Sequence, residues 1–166
     1  MAGFLHELTS LYRARLERHR NLPMLRGAMA ACAVIATIGG EVSFGQRIRV
    51  DQILETLGAL KVFDPHEGVN LFNEYAEAIF ANPRAGQDRA LADVRRLAAE
   101  DPEKAELIIR ICLAVSEADG EVSLAEQIEI VTLCSLLGVD PARFGLYPDE
   151  DRDSVLARIA RETGHT

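Results

Sequence analysis

Two stretches of this chain, eighty residues apart, carry the same turn: Gly40-Glu41-Val42-Ser43 returns as Gly120-Glu121-Val122-Ser123. The match extends outward on both sides. At that offset Cys32 falls on Cys112, Ile48 on Ile128 and Leu57-Gly58 on Leu137-Gly138, while Val50 and Ile53 meet Ile130 and Leu133. An apolar pattern copied together with its turn predicts two helical hairpins of common origin, repeats 21–58 and 101–138 inside a single domain spanning 1–166. Neither hairpin can hide its apolar face alone. The two should therefore pack together about a pseudo-twofold axis, with the remaining helices covering the sides. Charge was not copied: Asp119 and Glu126 of the second unit face Gly39 and Gln46 of the first.

No stretch alternates apolar and polar residues as a half-buried strand does, so the fold class is all-α, with about eight helical segments. Phe4, Leu5, Leu8, Leu11, Tyr12 and Leu16 follow a helical repeat and predict an amphipathic helix over 3–18. Arg18 to Leu22 reads as a break, and Pro23 suits the first turn of a second helix ending near Thr37. Ser43 with Gln46 resembles a capping box that opens a third helix, closed by Gly58 after Leu57. Asp64-Pro65, Asp101-Pro102 and Asp140-Pro141 place an N-cap before a proline suited to the first helical position. Asn82 to Gly86 reads as a loop, with a helical face starting near Leu91. Ser123 with Glu126 opens the helix ending near Leu137, and a last helix follows Asp149–Asp153 through about Arg161.

The chain has 166 residues, enough for one core that buries roughly 70% of the unfolded surface. With 48% apolar residues, 5% aromatics and no Trp, that core must be Leu, Ile, Val and Ala. A net charge of −8 argues against a general nucleic-acid binder, which needs a basic surface to displace phosphate counterions. The charge is uneven: residues 1–26 hold five Arg against two Glu, leaving −11 for the rest. A basic amphipathic first helix beside an acidic body suits a membrane surface or an acidic partner. The simpler explanation, preferred here, is that Arg13, Arg15 and Arg18 complement the dipole at that helix's C-terminal end. The longest uncharged apolar run, Gly27 to Gly40, is too short to span a bilayer and no signal peptide is expected, so the chain reads as cytoplasmic. Cys32, Cys112 and Cys134 lack CxxC spacing and sit in apolar helices, as buried reduced thiols do.

Chemistry is concentrated in Glu117, Asp119, Glu121 and Glu126. A hard divalent cation wants several converging oxygens, and a turn between helices can deliver them. Set against an EF-hand loop, Gly120 falls on the obligatory glycine and Glu126 on the terminal carboxylate, but Val115 occupies the first ligand position. A complete EF-hand is excluded. What is left is a partial cage of carboxylates helped by the Glu121 carbonyl and the Ser123 hydroxyl. Capping explains the same residues, since Glu126 is the third helical residue after Ser123 and Asp119-Gly120 makes an ordinary turn. The residues alone put capping ahead of metal. His66 beside Asp64 and Glu67 suggests zinc only until the Asp-Pro cap is recognised. No activated nucleophile, phosphate loop or dinucleotide fingerprint is present, and an enzyme is not expected.

Ala59-Leu60-Lys61-Val62-Phe63-Asp64, the paired turns, Asp119-Gly120 with Glu126 seven residues on, and Val139-Asp140-Pro141-Ala142-Arg143-Phe144-Gly145-Leu146 resemble the TerB tellurite-resistance family over about residues 4–146. The resemblance implies an all-helical cytoplasmic protein linked to tellurite and other stress resistance. It also implies acidic residues holding a divalent metal (calcium, zinc or manganese) and association with membrane-bound resistance proteins at the inner membrane rather than catalysis. With it, metal and capping stand level at Asp119, Glu126, Glu117 and Glu121. Gly39, Phe44-Gly45 and Gln46 depart from the family pattern, and only Glu41 keeps a carboxylate in the first unit. One metal site at most is expected, at 117–126. The alternative is a protein-interaction scaffold whose acidic turn only caps helices.

Overall fold

The computed structural model describes residues 2–146 and 160–161. All regular structure among them is helical: α1 (Ala2–Ala36), α2 (Phe44–Thr56), α3 (Pro65–Ala81), α4 (Pro83–Glu100), α5 (Pro102–Ser116) and α6 (Leu124–Leu137). Short 3₁₀ turns lie at Gly58–Leu60, Glu117–Asp119 and Pro141–Phe144.

The carboxyl-terminal half of α1 is the axis of the core. Met24, Leu25, Ala28, Met29, Cys32 and Ile35 are buried there, and α3, α4 and α5 pack around them. α2 lies against α3 and α5, and α6 against α5. The sequence supplies the starts through local hydrogen bonds. Asp64, Asp101 and Asp140 each accept from the backbone N–H two residues on, at 2.9 to 3.0 Å, with proline in the first helical turn, where its missing N–H costs nothing.

Five expectations need correction. The break at Arg18–Leu22 is absent: α1 runs unbroken through Pro23. Pro23 removes its own bond to the His19 carbonyl, but its fixed φ is helical, and contacts on both sides hold the helix together. Before it, the Arg18 guanidinium pairs with Glu67 at 2.7 Å and lies 5.5 Å from the Phe63 ring centroid. After it, the buried face begins at Met24. The dipole explanation for Arg13, Arg15 and Arg18 falls as well, because no helix ends there.

Asn82–Gly86 is a helix start rather than a loop. Asn82 accepts from the Ala85 N–H at 3.2 Å, and α4 opens at Pro83. Glycine closes only the second copy's last helix: Gly138 takes the left-handed conformation after α6, whereas α2 ends on an extended Leu57. The expected eight segments become six α-helices among the described residues. The first two segments are one, and the last expected helix lies outside the described residues except for Ala160 and Arg161, both helical.

Cys32, Cys112 and Cys134 are buried free thiols, as expected. Burial pushes the Cys32 pKa up to about 12 and that of Cys112 well above the usual thiol range. Burial and the nearby Asp140 push Cys134 up to about 11. Among the described residues no helix is long and apolar enough to cross a membrane.

Candidate functional site at the paired turns

The two matching turns are built alike. Gly40 and Gly120 both take positive φ, 84° and 106°, which a side-chain-bearing residue adopts only under strain. Each turn then delivers a serine to a helix start. The Ser43 Oγ accepts from the Gln46 N–H at 3.1 Å, and the Gln46 Oε1 accepts from the Ser43 N–H at 3.0 Å. Ser123 and Glu126 repeat that box, at 3.1 Å in both directions.

Asp119 leaves its own hairpin. The Ser43 Oγ donates to Asp119 Oδ2 at 2.6 Å, and Asp119 Oδ1 occupies the space that a Cβ on Gly45 would need. The carboxylate therefore sits at the amino end of α2, where unpaired N–H groups and the helix dipole favour negative charge. A second tie runs parallel to it: Arg49 Nη1 donates to the Ala114 carbonyl at 2.9 Å. The sequence held one clue to this crossing, since the second copy has Ala125 where the first has Gly45.

The four expected site residues are thus divided. Asp119 is bound to the other hairpin's cap, and Glu126 is engaged in its own. Glu117 closes α5 through its backbone N–H, which donates to the Leu113 carbonyl. The side chains of Glu117 and Glu121 are exposed and make no hydrogen bond or ion pair among the described residues. No group of three His, Cys, Asp or Glu side chains among the described residues is arranged to hold a metal ion. One oxygen is left over: Glu126 Oε2 is buried without a hydrogen-bond partner, as is Ser116 Oγ. A hard cation takes six to eight oxygens, so this donor set falls short of a closed cage and fits only a weakly held, largely hydrated ion. Near Asp64, the carboxylate caps the His66 N–H while Glu67 pairs with Arg18, so the first acid is committed to a helix start and the second to α1.

What the turns also present is apolar surface that no sequence motif marks. Phe44 and Ile48 on α2 are exposed, and so are Leu124 and Ile128 at the same positions of α6. On α1 every residue from Gly3 to Arg20 is exposed, including Phe4, Leu5, Leu8, Leu11, Tyr12 and Leu16. The i, i+3, i+4 spacing does lie on a helix, and among the described residues no core lies beneath this half of it.

The model of the family described as tellurite resistance protein TerB matches residues 26–147. A curated relative, the tellurium resistance protein TerB of an Alcaligenes species, is 28% identical over 94 residues, which cover 57% of this chain and 76% of the relative. No solved structure matches the chain. The family match covers most of the chain and takes in both turns with their capping boxes, and the described fold is all-helical: this protein belongs to the TerB tellurite-resistance family.

Proposed function

We propose that this TerB-family protein serves tellurite resistance as a non-catalytic interaction module in the cytoplasm, meeting a protein partner through the exposed apolar face of α1. A membrane-bound resistance protein at the inner membrane is one such partner. The observation that carries the reading is the row Phe4, Leu5, Leu8, Leu11, Tyr12 and Leu16, a set of large apolar side chains left in water on a helix that is otherwise part of the core. Exposed patches of this kind mark interaction sites. The available chemistry points the same way: the thiols are buried with raised pKa values, and two of the four turn acids are committed to helix caps. We infer further that the two hairpins descend from one, related by a pseudo-twofold axis, the paired positive-φ glycines and serine boxes being what supports it. The test is survival on tellurite of cells carrying wild-type protein or the Leu8→Glu/Tyr12→Glu variant. A folded variant that no longer protects is the expected result, and one that protects as well as wild type overturns the reading.

The orphaned Glu126 Oε2 favours a second reading, a divalent cation at Asp119 and Glu126 assisted by Glu117 or Glu121. Gln46 makes the first copy's capping box without a charge, so Glu126→Gln should keep the cap and remove only the cation ligand. Calorimetric titration with calcium, zinc and manganese decides it. Equal heats for wild type and Glu126→Gln eliminate the cation at this turn.

A further inference from the structure

The end of the molecule opposite the exposed tip of α1 carries an open groove of ≈ 540 Å³, lined by Ile38, Ile79, Phe80, Pro83 and Ile128, with Thr37, Gln87 and Glu129 as its polar members. Two of its walls are large apolar side chains left exposed, Phe80 at 45% and Ile128 at 48%. Glu129 makes no ion pair or hydrogen bond among the described residues, and burial pushes its pKa up. A half-buried carboxyl without a counterion in an apolar groove is unfavourable unless something cationic arrives. Room for roughly two or three large side chains, next to one unanswered negative charge, calls for an apolar segment with a basic residue one helical turn away.

This chain carries such a segment. Leu8, Leu11, Tyr12 and Arg15 stand at i, i+3, i+4 and i+7, which puts them on one face of α1. Leu8 is 65% exposed and Tyr12 63%, and Arg15 makes no ion pair among the described residues. The segment cannot reach its own groove. α1 is one unbroken helix from Ala2 to Ala36, and its rise holds Leu8 roughly 40 Å from the end where Ile38 begins the groove.

We propose that the groove receives the amino-terminal half of α1 from a second copy of this chain, with Leu8, Leu11 and Tyr12 in the apolar floor and Arg15 against Glu129. The proposal deepens the interaction role given above and rests on the same exposed face of α1. Charge complementarity selects the occupant, because the basic amino-terminal segment of one copy meets the acidic body of the next. Tip and groove lie at opposite ends, so the contact is head-to-tail and builds open chains or rings rather than a two-fold dimer. It is small enough to depend on concentration, and its ionic part weakens with salt.

The test is mass in solution by light scattering and sedimentation velocity, over concentrations on the order of 1 to 200 μM. The 166-residue wild type should grow from the 18.2 kDa monomer into multiples of it, more readily at low salt. Leu8→Glu disables the tip and Ile128→Glu the groove, both at exposed positions that circular dichroism should find fully helical. Each alone should stay monomeric. Mixed in equal amounts they retain one live joint, the intact tip of the Ile128→Glu copy in the intact groove of the Leu8→Glu copy, and should stop at twice the monomer mass. Arg15→Glu should abolish growth, and Arg15→Glu with Glu129→Arg should restore it. A wild type monomeric throughout, a mixture that gives anything but the pair, or growth unaffected by Leu8→Glu overturns the proposal. Loss of tellurite protection in Leu8→Glu/Tyr12→Glu without any self-association would sink the second copy as partner while leaving the interaction role standing.

Discussion

Asp119 is a cross-brace. Its carboxylate accepts from the Ser43 hydroxyl, and Ser43 in turn caps α2, so one side chain fastens the second hairpin's turn to the first hairpin's helix. A hydrogen bond to a charged group contributes about 1.5 to 3 kcal/mol when well sheltered, and this one is exposed, so Asp119→Ala should cost about 1 kcal/mol. Asp119→Asn keeps an acceptor oxygen and should lose less. Urea unfolding measures both, and an unchanged midpoint for the alanine variant would show that the brace carries no stability. Glu129 works in the opposite direction. Its folded-state pKa lies above the unfolded value, so its contribution is most favourable at low pH and is lost as pH rises through the folded pKa. Glu129→Gln should therefore raise the melting temperature at pH 7 and leave it near wild type at acid pH. An equal gain at both pH values would assign the effect to packing instead of charge.

α1 shows where local signals end. Asp64, Asp101 and Asp140 were legible because an N-cap is a bond between neighbours, and the Ser43 and Ser123 boxes were legible for the same reason. Asn82-Pro83 carries the same logic, but Gly86 close behind makes the run resemble a loop, and only the packed structure shows the helix continuing through it. Continuity through Pro23 was not legible, since what spans it is the contact from Arg18 to Glu67 and Phe63, more than forty residues away in sequence. Nor was the destination of Asp119, since it depends on how two hairpins pack. An interior proline costs a helix about 3 kcal/mol, against at most about 1 kcal/mol recovered by stiffening the unfolded chain. Pro23→Ala should accordingly stabilise the protein by roughly 2 kcal/mol in urea or thermal unfolding. A loss of stability would show that the pyrrolidine ring packs against its surroundings in a way alanine cannot replace.

Across the whole molecule the thiols share one fate. Cys32, Cys112 and Cys134 are buried, and their pKa values are pushed above the usual thiol range, so the native protein should react with a thiol reagent roughly 100-fold or more slowly than the unfolded chain. Labelling should follow unfolding and appear at the three sites together. A fast-reacting fraction in native protein would show that the core opens locally. The same rigidity has a mechanical side. Because the exposed tip and the residues at the centre of the core belong to one helix, a sideways pull at Leu8 is a torque on Met29 and Cys32.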